Sequence, residues 1–324
     1  MLNACCICWS NNPKISLIAR EMLMGTREKF QYEYCPDCES AYLLDKIEDF
    51  SKYYPQDYHC FYLNSLPIWK QIALKCVYKY NFYQKWFFWK VVSEVFNRIH
   101  GYYPEPAIWW IGHAYRAIWS PGLNTRIIDI WAWWGTLLQQ IQHLGFQNIS
   151  WVEPFWKNSN TSLNISNQTI EDFLKNAQED SYDIVILSHV FEHLFEQKTV
   201  LSWLKKIVKK WWIIVLAMPI LWKAYKYYGI DWFPFDAPRH VRLLSEKSFR
   251  ILTDDVGLDI ISTLHEEASW NIFASEVYKK DISFNEIAEF KMKDVDLHKH
   301  RELARIFNEQ ESGWWSVTYF LKSR

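Results

Sequence analysis

Between residues 126 and 154 the apolar and polar positions of the chain fall into three successive patterns. IIDI (127–130) is a short apolar run of strand type, TLLQQIQHL (136–144) places apolar residues at helical spacing, and ISWVE (149–153) is a second strand closed by Glu153. Strand, turn, helix and strand make a βαβ unit, and the following residues extend it. ISNQTIEDFL predicts a short third strand. Residues 183–187 form a nearly continuous apolar run, as in strands buried on both faces of a parallel sheet. A helix over about 197–209 and the strand IIVLAMP come next. LDIISTL and SVTYFLK then flank the charged helical stretch EIAEFKMKDVDLHKHRELARIFN. The alternation predicts an α/β fold, a Rossmann-like, doubly wound and mostly parallel sheet, with room for an antiparallel edge near the C-terminus.

Upstream the pattern changes. From 68 to 99 apolar residues recur every three or four positions, predicting one or two amphipathic helices. These form either a helical cap over an active site or a layer packed on the core. Pro104, Pro106 and Pro121 mark a loop-rich linker after them. Residues 1–45 carry Cys5, Cys8, Cys35 and Cys38 as C-x-x-C, a long gap and C-x-x-C. Two such pairs supply four thiolates to one tetrahedral ion, which suits a closed, structural zinc site in a small ribbon-like segment. Cys6, Cys60 and Cys76 are read as scattered reduced thiols. The expected organisation is a zinc-binding segment over 1–45, a helical cap or linker over 46–124 and a nucleotide-binding-type domain over 125–324.

Composition narrows the function. With 324 residues, half of them hydrophobic, the chain can bury a substantial core. A formal net charge of -1, spread along the chain, argues against nucleic acid as the partner. There is no charged-then-apolar leader and no apolar run of roughly 18 residues or more, so the expectation is a soluble, cytoplasmic protein with a small-molecule substrate and no membrane partner.

The anomaly is 20 tryptophans against 9 glycines, less than half the glycine of an average chain at roughly 7%. A turn that lets backbone approach a nucleotide needs glycine, because only glycine reaches positive φ there without a Cβ clash. This turn instead reads Trp131, Ala132, Trp133, Trp134, Gly135. Trp9 follows the first C-x-x-C pair, and Trp211 and Trp212 stand where a helix should stop before a strand. Trp109, Trp110, Trp119, Trp151, Trp314 and Trp315 also fall in turn-like or close-packed contexts. The expectation is that most of these are glycine in the cell, encoded by UGA codons recoded as glycine. Trp232, in DWFPFDAPRH, is the one most readily kept as tryptophan.

With glycine at those positions the turn becomes DIGAGGGTLL, which resembles motif I of the class I S-adenosylmethionine-dependent methyltransferases. VEP, YDIVILSHVFEHL, KKWWIIVLAMP, DAPRHVRLLSEKSFRIL and VGLDI follow in order. Over residues 5–262 the chain resembles members of that family with a zinc-knuckle N-terminus, some of which act on sugars attached to nucleotides. The resemblance implies S-adenosylmethionine as cofactor. Asp129 would approach the methionine amino group, and Trp131, Ala132, Trp133 and Gly135 would wrap the methionine and ribose. Glu153 would accept from the ribose hydroxyls, Ile170 and Asp172 would meet the adenine, and Ser188 and His189 would close the fourth strand beside the methyl group. His193 and His240 follow strands four and five, where an acceptor should lie, and imidazole suits a base. Arg239 could bind an anionic substrate group through its planar fork. Each has a structural alternative: Asp129 as a helix cap, the histidines as loop anchors. Two other functions compete, an NAD-dependent reductase built on the same βαβ unit and, if the tryptophans are real, a non-catalytic zinc-bearing scaffold.

Overall fold

In a computed structural model the described residues are 4–54, 68–83, 87–100, 106–118, 122–131, 136–154, 164–221, 223–266, 269–287, 300, 302–306 and 316–324. Of the expected cofactor turn, Ala132, Trp133, Trp134 and Gly135 lie outside them. The chain begins with three strands, β1 (Ile15–Arg20), β2 (Lys29–Cys35) and β3 (Ser40–Leu43), followed by three helices, α1 (Ile68–Tyr83), α2 (Phe87–His100) and α3 (Pro106–Arg116). The βαβ unit is β4 (Ile127–Ile130), α4 (Thr136–His143) and β5 (Ile149–Val152). Then come β6 (Asn164–Ser166), α5 (Ile170–Asn176), β7 (Tyr182–Ser188), α6 (Gln197–Ile207), β8 (Val208–Pro219) and α7 (Lys223–Tyr228). The chain closes with β9 (Arg242–Leu243), α8 (Glu246–Val256), β10 (Leu258–Glu266), α9 (Ser269–Tyr278) and β11 (Ser316–Ser323).

Contacts divide the chain into two units interleaved in sequence, one of Met1–Tyr58, His189–Leu201 and Ala217–Tyr319, the other of His59–Ser188, Ser202–Leu216 and Phe320–Arg324. The second unit carries the Rossmann-like sheet, in which β8, β7, β4, β5 and β6 stand side by side in that order. β4 is parallel to both β5 and β7, and β5 to β6. Paired on both sides, β4 is buried along its whole length, which is why IIDI reads as an uninterrupted apolar run around one acid. Asp183, at the start of β7, is fixed by two bonds, from the Arg126 amide at 2.7 Å and the Lys209 ammonium at 2.5 Å. α1 and α3 pack on α4, and α3 also on β7. The buried Phe82 ring meets those of Tyr115 and Phe146 with centroids 5.0 and 5.4 Å apart, so these aromatic helices belong to the core of the unit.

In the first unit β1, β2, β3 and β9 form an antiparallel sheet. β9 is the continuation of the PRH segment, and its Leu243 and Arg242 register against Ala41 and Tyr42 of the cysteine-bearing ribbon. One cluster built from Phe30, Tyr32, Leu43, Trp232, Phe235 and Leu243 lies at this sheet. α8 starts on a capping box made by Ser245 and Ser248 and ends on Gly257, whose φ of 69° satisfies the helix C-terminus. Ser245 Oγ also donates to the Cys38 carbonyl at 2.8 Å, tying the helix start to the second cysteine pair. Among the described residues no helix is long and apolar enough to cross a membrane.

Candidate active site

In the second unit two carboxylates close adjacent parallel strands. Asp129 is the third residue of β4, in register with Trp151, and Glu153 directly follows β5. Both are buried, Asp129 to 3% exposure, and Asp129 Oδ1 has no hydrogen-bond partner. Burial, reinforced by the nearby Glu153 charge, lifts the Asp129 carboxyl to about 7. Two buried acids that raise each other's energy are poor structural elements and good receivers of a cationic or hydroxyl-bearing ligand. Trp131 follows β4 and donates its amide to the Val152 carbonyl at 2.8 Å, and its φ is 66°. That is the left-handed region, where a bulky residue is out of place and glycine is at ease.

Ile170 and Asp172 open α5. Thr169 caps the helix by accepting from the Asp172 amide at 3.1 Å and donates its hydroxyl to the Asp172 carboxylate at 2.9 Å. Ile170 is buried and Asp172 exposed. Ser188 ends β7, and the next residue, His189, takes a φ of 54°.

The first unit brings together the FEHL and PRH segments. Glu192 and His193 lie on a single 3₁₀ turn, Phe191–His193. The Glu192 carbonyl accepts from the Val241 amide at 3.0 Å, and the buried Gln197 amide bridges the Phe191 and Arg242 carbonyls at 2.8 and 3.2 Å. These bonds explain why two motifs 46 residues apart act as one. His193 and His240 meet edge to face with centroids 4.7 Å apart. Their Nδ1 atoms face backbone carbonyls, His193 that of Arg239 at 3.0 Å and His240 that of Pro234 at 2.7 Å. Tyr32 of the ribbon in turn donates to the His240 carbonyl at 3.0 Å.

Arg239, placed by sequence against an anionic substrate group, is fully buried and spent inside the protein. Its guanidinium pairs with Asp236 through two nitrogens, donates to the Tyr53 carbonyl at 2.6 Å and lies 3.8 Å from Glu21. Glu21 accepts from the Met24 and Thr26 amides. Sequence reasoning passed over Glu192, Asp236 and Glu21. For Glu192 the signal was present, an acid inside the apolar run VFEHLF; the contact between Glu21 and Arg239 spans 218 positions and leaves no local trace.

Cys5, Cys8, Cys35 and Cys38 converge, with all four sulfurs within 4.8 Å of one another. The Cys5–Cys38 and Cys8–Cys35 sulfurs are 3.6 and 3.7 Å apart. Sulfurs bound at the usual zinc–thiolate length lie about 3.8 Å apart around a tetrahedral ion, far beyond the roughly 2 Å of a disulfide. The two knuckles repeat each other: Trp9 and Glu39, each just after its pair, have φ of 60° and 57° and donate their amides to the Cys5 and Cys35 carbonyls at 3.0 and 2.8 Å.

Residues 111–263, which include Asp129, Glu153, Ile170, Asp172 and the FEHL and PRH segments, match a family model described as a methyltransferase domain. No curated protein sequence matches the chain. The chain is similar to the crystal structure of an S-adenosylmethionine-dependent methyltransferase from Archaeoglobus fulgidus at 16% identity, covering 72% of this chain and 94% of that one with a TM-score of 0.42. It is also similar to one from Mesorhizobium loti at 12% identity, covering 66% and 97% with a TM-score of 0.42. Likeness at that level assigns no residue a role, and the weight rests on the domain match. Residues 111–263 are a methyltransferase domain, and the sheet is of Rossmann-like α/β type.

Proposed function

We propose that the enzyme methylates a small-molecule acceptor, a sugar or nucleotide-linked sugar, using S-adenosylmethionine held over the ends of β4 and β5. The observation that carries the cofactor placement is the buried pair Asp129 and Glu153, with the Asp129 oxygen lacking a hydrogen bond. S-adenosylmethionine, when bound, supplies an electrophilic methyl group on a cationic sulfur. Asp129 ionises to hold the cofactor's ammonium, Glu153 accepts from the ribose hydroxyls, and the start of α5 at Ile170 borders the adenine. Methyl transfer is an in-line displacement in which positioning contributes much of the rate. A hydroxyl acceptor must also lose a proton, and His193 and His240 are the groups proposed for that task.

The reading includes glycine, in the cell, at positions 9, 131 and 211. These tryptophans have φ of 60°, 66° and 74°, whereas Trp232 has φ of -61° and fills the core. Trp110 and Trp151 are buried in α3 and β5 and are not among the positive-φ residues. We also assign structural zinc to the four cysteines, whose free thiols suit a reducing, cytoplasmic setting.

Calorimetry with S-adenosylmethionine tests the cofactor reading. The form with glycine at 131, 133 and 134 is expected to bind and the tryptophan form not to; absence of binding by both removes the proposal. Sugar and nucleotide-sugar acceptors are then tested by transfer of a labelled methyl group to the glycine form.

A further inference from the structure

We propose that Glu192, His193 and His240 form a second metal site, one that takes a divalent first-row ion and keeps a coordination position open for the acceptor's hydroxyl. The three residues each offer one ligand atom, all within 4.8 Å of one another, with Glu192 Oε1 3.8 Å from His240 Nε2. Ligands at usual zinc–nitrogen and zinc–oxygen lengths lie about 3.4 Å apart around a tetrahedral ion. Closing on an ion takes about 1 Å of side-chain movement.

The histidines are prepared for it. A carbonyl only accepts, so the Arg239 and Pro234 carbonyls fix the proton of each neutral ring on Nδ1 and leave the lone pair on Nε2. Metal-binding histidines are oriented in this way by their other nitrogen. Glu192 is 1% exposed, and its carboxylate has no contact at ordinary hydrogen-bond length; ring nitrogens of His189 and His240 stand at 3.6 and 3.8 Å, the first of them a weak partner. Asp236 Oδ2 is 3.7 Å from His240 Nε2, but it is already held by Arg239 at 2.8 Å and serves as a charge partner.

The charge balance points the same way. Glu21 and Asp236 share one guanidinium, that of Arg239, and Asp236 and Glu192 both face His240 Nε2. Against neutral imidazoles this leaves two negative charges in a buried place, which a divalent cation balances. Two imidazoles and a carboxylate suit zinc, iron or cobalt, in contrast to the all-thiolate centre at the cysteines. An acceptor hydroxyl at the open position exchanges its O–H bond for a metal–oxygen bond and releases the proton to solvent. This role replaces the base role proposed above for His193 and His240, and it rests on the methyl-transfer reading for its purpose though not for its metal.

The test is a cobalt(II) titration of the full-length, metal-stripped protein, without S-adenosylmethionine. Two cobalt ions per chain are expected, one with intense thiolate charge-transfer absorption and one with ligand-field bands alone. Glu192→Gln and His240→Gln should weaken the second by at least about tenfold and spare the first. A wild-type titration showing only thiolate-bound cobalt overturns the site, as does a second cobalt unmoved in both variants when their circular dichroism is native. If the variants do not fold, the wild-type spectrum decides alone. Because the readout is metal, failure of the cofactor reading would appear separately, as absent S-adenosylmethionine binding.

Discussion

Glu21 is buried and Asp236 partly buried, with the Arg239 guanidinium reaching both, whereas Asp129 is buried near Glu153 with an oxygen that has no hydrogen bond. In the first case the fold brings its own cation, and the Arg239 charge holds the Asp236 carboxyl below the usual range despite burial. In the second the carboxyl is raised, by burial first and by Glu153 second. A paired acid maintains structure; one left raised stores free energy that a cationic ligand can release. The difference separates scaffold from binding site within one chain.

The comparison breaks most visibly at Arg239. Arg239→Met removes the shared partner of a buried carboxylate, Glu21, and a partly buried one, Asp236, and a loss of about 3–5 kcal/mol is expected in denaturant unfolding. A loss below about 1 kcal/mol would mean that Asp236 and Glu21 do not depend on it. Asp129→Asn should behave oppositely: no loss of stability at neutral pH, but cofactor affinity reduced by about 1.5–3 kcal/mol, the worth of a hydrogen bond to a charged group. Equal destabilisation by the two substitutions would erase the distinction.

A pH series sharpens it. The folded Asp129 carboxyl titrates at about 7, against 3.8 for an unperturbed one. The folded state therefore holds a proton that the unfolded chain has released, and stability from this group is complete below 3.8 and falls until the pH passes about 7. Binding of a cationic ligand favours the ionised form, so S-adenosylmethionine affinity should rise toward pH 7 by up to about tenfold per pH unit and then level off. Asp129→Asn should flatten both curves. Unfolding midpoints and calorimetry across that range check the two slopes.

How much of this was written in local sequence depends on the range of the forces involved. β4, β5 and β7 were legible because a strand buried on both faces must be apolar throughout, and the acids at 129 and 153 interrupt or end such runs visibly. β8 extends further back than the apolar run IIVLAMP, through Val208, because backbone pairing continues past the residues that need burial. Pairing of β9 with the ribbon and the commitment of Arg239 to Glu21 and Tyr53 were not legible. Both depend on residues about 200 positions apart, and a guanidinium reads the same in sequence whether it faces a substrate phosphate or a buried acid.

The smallest expected effect bears on the identity of the chain itself. Trp211 lies in β8 with φ of 74°, and the residue is 67% exposed, so the side chain gains little burial for its backbone strain. A non-glycine residue in that region costs about 1–2 kcal/mol, and glycine returns about 0.5–1 kcal/mol of that through unfolded-chain entropy. Trp211→Gly should therefore raise stability by about 0.5–1 kcal/mol. Trp232, 2% exposed in the ribbon core, fills a volume that glycine would leave empty. If the left-handed tryptophans are glycine in the cell, peptides of the protein purified from the organism that encodes it will carry glycine at 131 and 211 and tryptophan at 232. Tryptophan at 131 or 211 in those peptides would end the glycine reading, and the left-handed turn after β4 would then be a strained feature that the enzyme maintains.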